Sequence, residues 1–148
     1  MNTAERRGYQ AHEIDEDTQY MCREALSVLR GQISGFVSAG VVGPDGFEVA
    51  AISNGPLEVA KVAALSSTLV AVAEAFALES NMKSCRAIIL ENDDGNTLLL
   101  GVPVHGANYA LFVIAEKAVT LGLVLARARM CGAKIQEILN ERLVGLAE

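Results

Sequence analysis

Tryptophan is missing from this chain, and phenylalanine and tyrosine bring the aromatic share to only 5%. A core without many large rings must be filled by Ala, Val, Leu and Ile, and apolar residues make up 51% of the 148 positions. That composition excludes a disordered chain and suits one domain with a sizeable core. Positive charge is also short: 12 Lys and Arg stand against 18 Asp and Glu, for a net charge of −6. With no clustered basic face, a nucleic-acid partner is excluded. Cysteine is limited to Cys22, Cys85 and Cys131. An odd number at wide spacing excludes a disulfide framework and leads us to expect reduced thiols in the cytoplasm. The opening MNTAERRGYQAHEIDEDTQ has no apolar core, so no secretory signal is expected either. His12 and His105 are the only histidines, and no CxxC or HxxxH pattern occurs. We therefore expect no metal and no other cofactor.

What the chain does have is one long apolar run, Glu58 to Ser80, free of Gly and Pro. At about 100° per residue, Val62, Leu65, Leu69, Val72 and Phe76 form one bulky stripe, the expected sheet-facing side. Ala60, Ala64, Ser67, Ala71 and Ala75 form a small-residue stripe roughly opposite. Val59, Ala63, Val70 and Ala77 make one flank apolar as well, leaving Lys61, Thr68 and Glu79 as a narrow polar strip. Such a helix is buried on more than one side. Lys61, Glu74 and the Ser66-Ser67-Thr68 cluster, with no flanking basic anchors, argue against membrane insertion.

Around it the chain reads as a tail over residues 1 to 16 followed by a single domain over 17 to 148. Asp17 is expected to cap a first helix carrying Met21, Ala25, Val28 and Leu29 as its apolar stripe. The extended runs GFVSAGVVG and FEVAAIS flank Pro44-Asp45-Gly46, a strong hairpin turn. After the central helix, CRAIILE, TLLLGVPV and YALFVIAE are strands joined at Asp93-Asp94-Gly95-Asn96 and His105-Gly106-Ala107-Asn108. Pro103 removes a ladder donor, so its end of the strand should be an edge or a bulge. Apolar residues on both parities of these strands predict cover on both sheet faces. A final helix from about Val119 to Arg142 buries Leu121, Val124, Leu125, Ala128, Cys131, Ile135, Ile138 and Leu139. Its Gly122 and Gly132 suggest close packing. The expected architecture is α/β layered (α+β): helix, two strands, helix, three strands, helix, with a five-stranded, mostly antiparallel sheet.

This order and these segments resemble the roadblock (dynein light-chain) family over roughly residues 18 to 142. The matching pieces are GVVGPDGFEVAAIS, VAALSSTLVAVAEAFALE, LLLGVPV and ALFVIAEKAVTLGLVLARAR. The resemblance implies the central helix on one sheet face and the terminal helices on the other. It also implies homo- or heterodimers that join an edge strand and pair the central helix with its twin. Its bacterial members commonly regulate Ras-like small GTPases, while others are scaffolds or adaptors; the fold alone does not choose. On this basis we expect a homodimer sealed through Ala60, Ala64, Ser67, Ala71 and Ala75. A Ras-like GTPase is expected to bind Glu58, Lys61, Thr68 and Glu79. The adaptor without effect on hydrolysis is the alternative.

The catalytic options are thin. Gly40, Gly43 and Gly46 lead into a strand, without the Lys and Ser/Thr of a phosphate loop. Cys22 and Cys131 fall in apolar helix stripes, which suits packed thiols. Cys85, beside Arg86, is the remaining nucleophile candidate, and a thiol enzyme or small-molecule sensor predicts a polar pocket near Cys85 or His105. Asp93-Asp94 supplies too few oxygens for a cation. Arg86, Arg127, Arg129 and Arg142 are candidates for an arginine finger, though regulation by remodelling the GTPase's own switch regions needs none. No catalytic residue is assigned.

Overall fold

Asp15, rather than Asp17, starts the first helix. In the computed structural model, which describes residues 14–143, its carboxylate accepts the Thr18 amide at 2.7 Å. Asp17 lies inside the first turn, where negative charge favours the helix dipole but cannot reach the unpaired amides in that way. Helix α1 runs Glu16–Gln32. The tail assigned over residues 1 to 16 falls outside the described residues up to position 13. Beyond it, Ile14 is buried and Asp15 and Glu16 serve α1.

Strands β1 (Phe36–Val42) and β2 (Glu48–Ser53) follow, joined by the turn expected at Pro44, Asp45 and Gly46. Gly46 takes φ +85° and donates its amide to the Gly43 carbonyl at 3.0 Å, while Asp45 Oδ1 accepts the Phe47 amide at 3.1 Å. Local chemistry alone closes this hairpin. Helix α2 (Val59–Glu79) leads to β3 (Ala87–Glu91), β4 (Gly95–Val104) and β5 (Ala107–Glu116), and helix α3 (Leu121–Arg142) closes the described chain. The β4–β5 turn is tighter than expected: only His105 (φ +48°) and Gly106 (φ +82°) lie between the strands. Asn108 already belongs to β5.

The sheet has five strands in the order β2-β1-β5-β4-β3, and every pairing is antiparallel. The register Gly40↔Phe112↔Leu99↔Ile88 runs across one face. Gly40 is required there, because a side chain would begin 2.4 Å from the Phe112 ring. Strand β3 covers β4 only as far as Leu100, so Pro103 sits past its end, as its missing donor demands.

The two faces carry separate cores. On one, α1 and α3 cover Val41, Leu98, Leu100, Leu111 and Val113. On the other, α2 covers Val42, Leu99, Ala110 and Phe112. The first core holds Cys22, Leu26 and Leu29 from α1 and Val124, Ala128, Ile135 and Leu139 from α3. The α1 stripe is thus rotated from the expected one: Val28 points to solvent, 62% exposed, and Cys22 and Leu26 replace it. Gly132 packs near Leu100 and Leu111, but Gly122 has nothing close, so no packing reason accounts for it.

Candidate functional site

The site is built on α2, whose orientation differs from the expected one. Ala63, Ser66, Val70 and Ala77 are its buried residues. They come from the flank between the two stripes, not from the bulky stripe. The reason lies in the sheet: Phe112 and Leu99 already fill that face, so the helix settles on its smaller side chains. Ser66 remains compatible with burial by donating its hydroxyl to the Val62 carbonyl at 2.7 Å. The bulky stripe departs furthest from the expected facing. Leu65, Val72 and Phe76 are 62%, 61% and 74% exposed, while Val62 and Leu69 are half-buried against the sheet. One stripe therefore forms an apolar ridge open to solvent.

The remaining α2 residues flank that ridge. Ala60, Ala64, Ala71 and Ala75 are exposed and Ser67 is half-buried. Ala64 and Ser67 lie on the side of the Pro44–Gly46 turn, each with an atom 3.9 Å from where a Gly46 side chain would begin. Between this stripe and the ridge lie Lys61, Thr68 and Glu79, all exposed. Lys61 Nζ meets Glu58 Oε2 at 2.8 Å, and Thr68 donates its hydroxyl to the Ala64 carbonyl at 3.1 Å. An ion pair this exposed adds little stability, which leaves both charges available to a partner. By length and apolarity alone α2 is also able to cross a membrane, but its buried flank is packed on the sheet.

Sequence reasoning missed that the ridge continues towards a sheet edge. Val62 and Leu69 share their cluster with Ile88 of β3 and Ile114 of β5. Among the described residues strand β3 has a single neighbour, β4, so its other edge is unpaired there. Ile88 thus ties the cluster beneath α2 to the strand at that edge. The signal was present in the smallness of Ala63, Ser66 and Ala77, which only makes sense beneath large sheet residues.

The other candidates do not converge. Arg142 is committed to α1: its Nε donates to Thr18 Oγ1 at 3.1 Å, and its guanidinium lies 3.7 Å from Asp15 and 3.9 Å from Asp17. Arg127 is half-buried on α3, its Nε buried with no hydrogen-bond partner among the described residues and its Nη1 3.8 Å from Met130 Sδ. His105 Nε2 sits 2.9 Å from the Asn140 carbonyl. A cleft of about 530 Å³ does adjoin Cys85, with Glu74, Arg86, Arg129 and Gln136 on its walls. No histidine lines it, and the Cys85 thiol donates to the Ala87 carbonyl at 3.4 Å rather than to a base. Burial pushes the Cys22 and Cys131 thiols up to about 12, the opposite of what a nucleophile needs. Among the described residues no group of three or more His, Cys, Asp and Glu is placed to hold a metal ion.

Comparison with known protein families gives no match, and comparison with curated proteins gives none. Solved structures do match. An MglB with a tetrameric arrangement superposes with a TM-score of 0.79 at 15% identity, covering 88% of this chain and 96% of that one. The gliding protein MglB from Thermus thermophilus gives 0.77 at 14% identity, covering 86% and 95%. A Roadblock/LC7 domain from Streptomyces avermitilis gives 0.71 at 17% identity, covering 79% and 96%.

This is the roadblock fold. Within it, the α-β-β-α-β-β-β-α order places the terminal helices on one sheet face and the open ridge of α2 on the other.

Proposed function

We propose that this chain is a non-catalytic, self-associating regulator that binds a Ras-like small GTPase and modulates its nucleotide cycle. The observation that carries the reading is the open face of α2. Three large side chains, Leu65, Val72 and Phe76, stand in solvent on a helix that carries nothing resembling a reaction centre. Exposure of this kind marks an interaction surface, because contiguous apolar side chains gain by leaving water. A second copy is the natural cover: two-fold symmetry sets the ridge against itself and brings two unpaired β3 edges to the same side.

Two parts of α2 compete for the seam. The ridge offers the larger apolar burial, while the stripe of Ala60, Ala64, Ser67, Ala71 and Ala75 permits closer approach of two backbones. Phe76→Glu and Ala64→Glu separate them by light scattering, since only the variant in the true seam dissociates. Glu58, Lys61, Thr68 and Glu79 remain the proposed GTPase contacts, duplicated by the two-fold axis. The protein then acts by favouring one GTPase conformation through differential binding.

Single-turnover GTP hydrolysis by a co-purifying Ras-like GTPase tests the function. Addition of this protein should change the rate, and Lys61→Glu with Thr68→Ala should abolish the change. Binding with an unaltered rate would instead establish an adaptor. Localisation in the cytoplasm is part of the proposal and is checked by cell fractionation.

A further inference from the structure

The opposite face of the molecule carries a second surface that no described residue covers. A groove of about 500 Å³ runs between α1 and α3, floored by Met21, Ala25, Leu29 and Ile138. Tyr20 and Val28 on α1 and Met130 on α3 stand along its rims, 58%, 62% and 59% exposed. Glu24 belongs to the α1 rim and Lys134 to the α3 rim.

We infer that this groove binds the same groove of a second copy, forming an interface distinct from the α2 face. Register and charge both point to that pairing. The helices are antiparallel: Cys131 Sγ meets the Ala25 carbonyl at 3.7 Å, and Arg142 Nε meets Thr18 Oγ1 at 3.1 Å. With Ala25 opposite Cys131, Glu24 and Lys134 across the groove differ in level by about 3 Å of helix rise, as do Val28 and Met130, which is within reach of their side chains. A two-fold axis parallel to the helices then lays α1 of each copy over α3 of the other without changing level. Glu24 meets Lys134 of the second copy twice, and Val28 meets Met130 twice. The acid lies on one helix and the base on the other, so the surface is complementary to itself under this operation. Lys134 is free to exchange partners, because its contact with Glu137 is long, at 3.8 Å, and more than half exposed. The apolar rims supply the attraction and the charges fix the register. Nothing in this inference depends on GTPase binding; the α2 seam affects only how many chains the whole particle contains.

Light scattering of the full chain over a wide concentration range tests it. Wild-type protein should reach twice the mass of a Met130→Glu variant, and Val28→Glu should match that variant. Both positions are exposed, so the far-ultraviolet circular-dichroism spectrum should be unchanged, which separates lost association from lost folding. Glu24→Lys alone and Lys134→Glu alone should each weaken the particle, and the two together should restore it. A wild-type mass equal to that of Met130→Glu overturns the inference, as does a charge-reversed pair that fails to restore assembly. Loss of GTPase binding in Met130→Glu with no change in mass would assign the groove to that partner and overturn it equally. If Phe76→Glu and Ala64→Glu leave the mass unchanged while Met130→Glu halves it, the α2 seam fails and the groove stands.

Discussion

At Gly40 a single hydrogen atom separates a fitting core from an overpacked one. An added methyl would begin 2.4 and 2.7 Å from two carbons of the Phe112 ring. Gly40→Ala should therefore destabilise by about 1–3 kcal/mol, measured by urea unfolding, and adding Phe112→Leu should recover part of it. Gly132 gives the opposite result. A methyl there meets Leu111 and Leu100 at 3.8 and 3.9 Å, ordinary contact, so Gly132→Ala should gain up to about 1 kcal/mol from helix propensity. Asp15 links stability to pH. Hydrogen bonds from Thr18, then the Arg142 guanidinium, hold its carboxyl below the ordinary 3.8. A depressed folded value gives stabilisation that is full above the unfolded value and is lost as pH falls through the folded one. Thermal melts of Asp15→Asn should accordingly fall less steeply than wild type as pH drops below 3.8. The thiols run the other way, with Cys22 and Cys131 raised from 9.0 to about 12. Their contribution is full below 9.0 and fades as pH rises above it, because only the unfolded thiols ionise there. A thiol reagent at neutral pH should label the half-buried Cys85 in native protein and reach the other two only after unfolding.

Elements were legible in the sequence wherever their cause was local. Pro44-Asp45-Gly46 closes its hairpin through its own backbone and side chain, so its position could be read from three letters. The α3 stripe was also legible, because Val124, Ala128, Cys131, Ile135 and Leu139 recur at helical spacing against a face that needs large residues. The facing of α2 was not. A helical wheel gives relative positions around an axis, and this one is apolar or small almost throughout; only the sheet decides which arc is buried. Phe112 and Leu99 occupy the space that Leu65 and Phe76 were expected to fill. The same limit displaced the α1 stripe by part of a turn and left Val28 outside. Capping at Asp15 rather than Asp17 is a smaller case: both are good caps, and only the contact to Thr18 distinguishes them.

At the scale of the whole fold, the described residues form a sheet with two filled cores and leave two helical surfaces uncovered among themselves. Antiparallel pairing followed from turn lengths, cover on both faces from strands apolar on both parities, and the placing of the helices from the family resemblance; the strand order β2-β1-β5-β4-β3 was not read from the sequence. The partner surfaces were less accessible, because they depend on what folding leaves exposed, which no local pattern records. Exposed Leu65, Val72 and Phe76 beside an unpaired β3 edge form the surface on which the regulator reading depends. The most direct measurement of that reading is the light-scattering mass of Phe76→Glu against wild type at equal concentration. If the ridge is the seam, the variant's particle has half the wild-type mass and an unaltered circular-dichroism spectrum; an unchanged mass would contradict it.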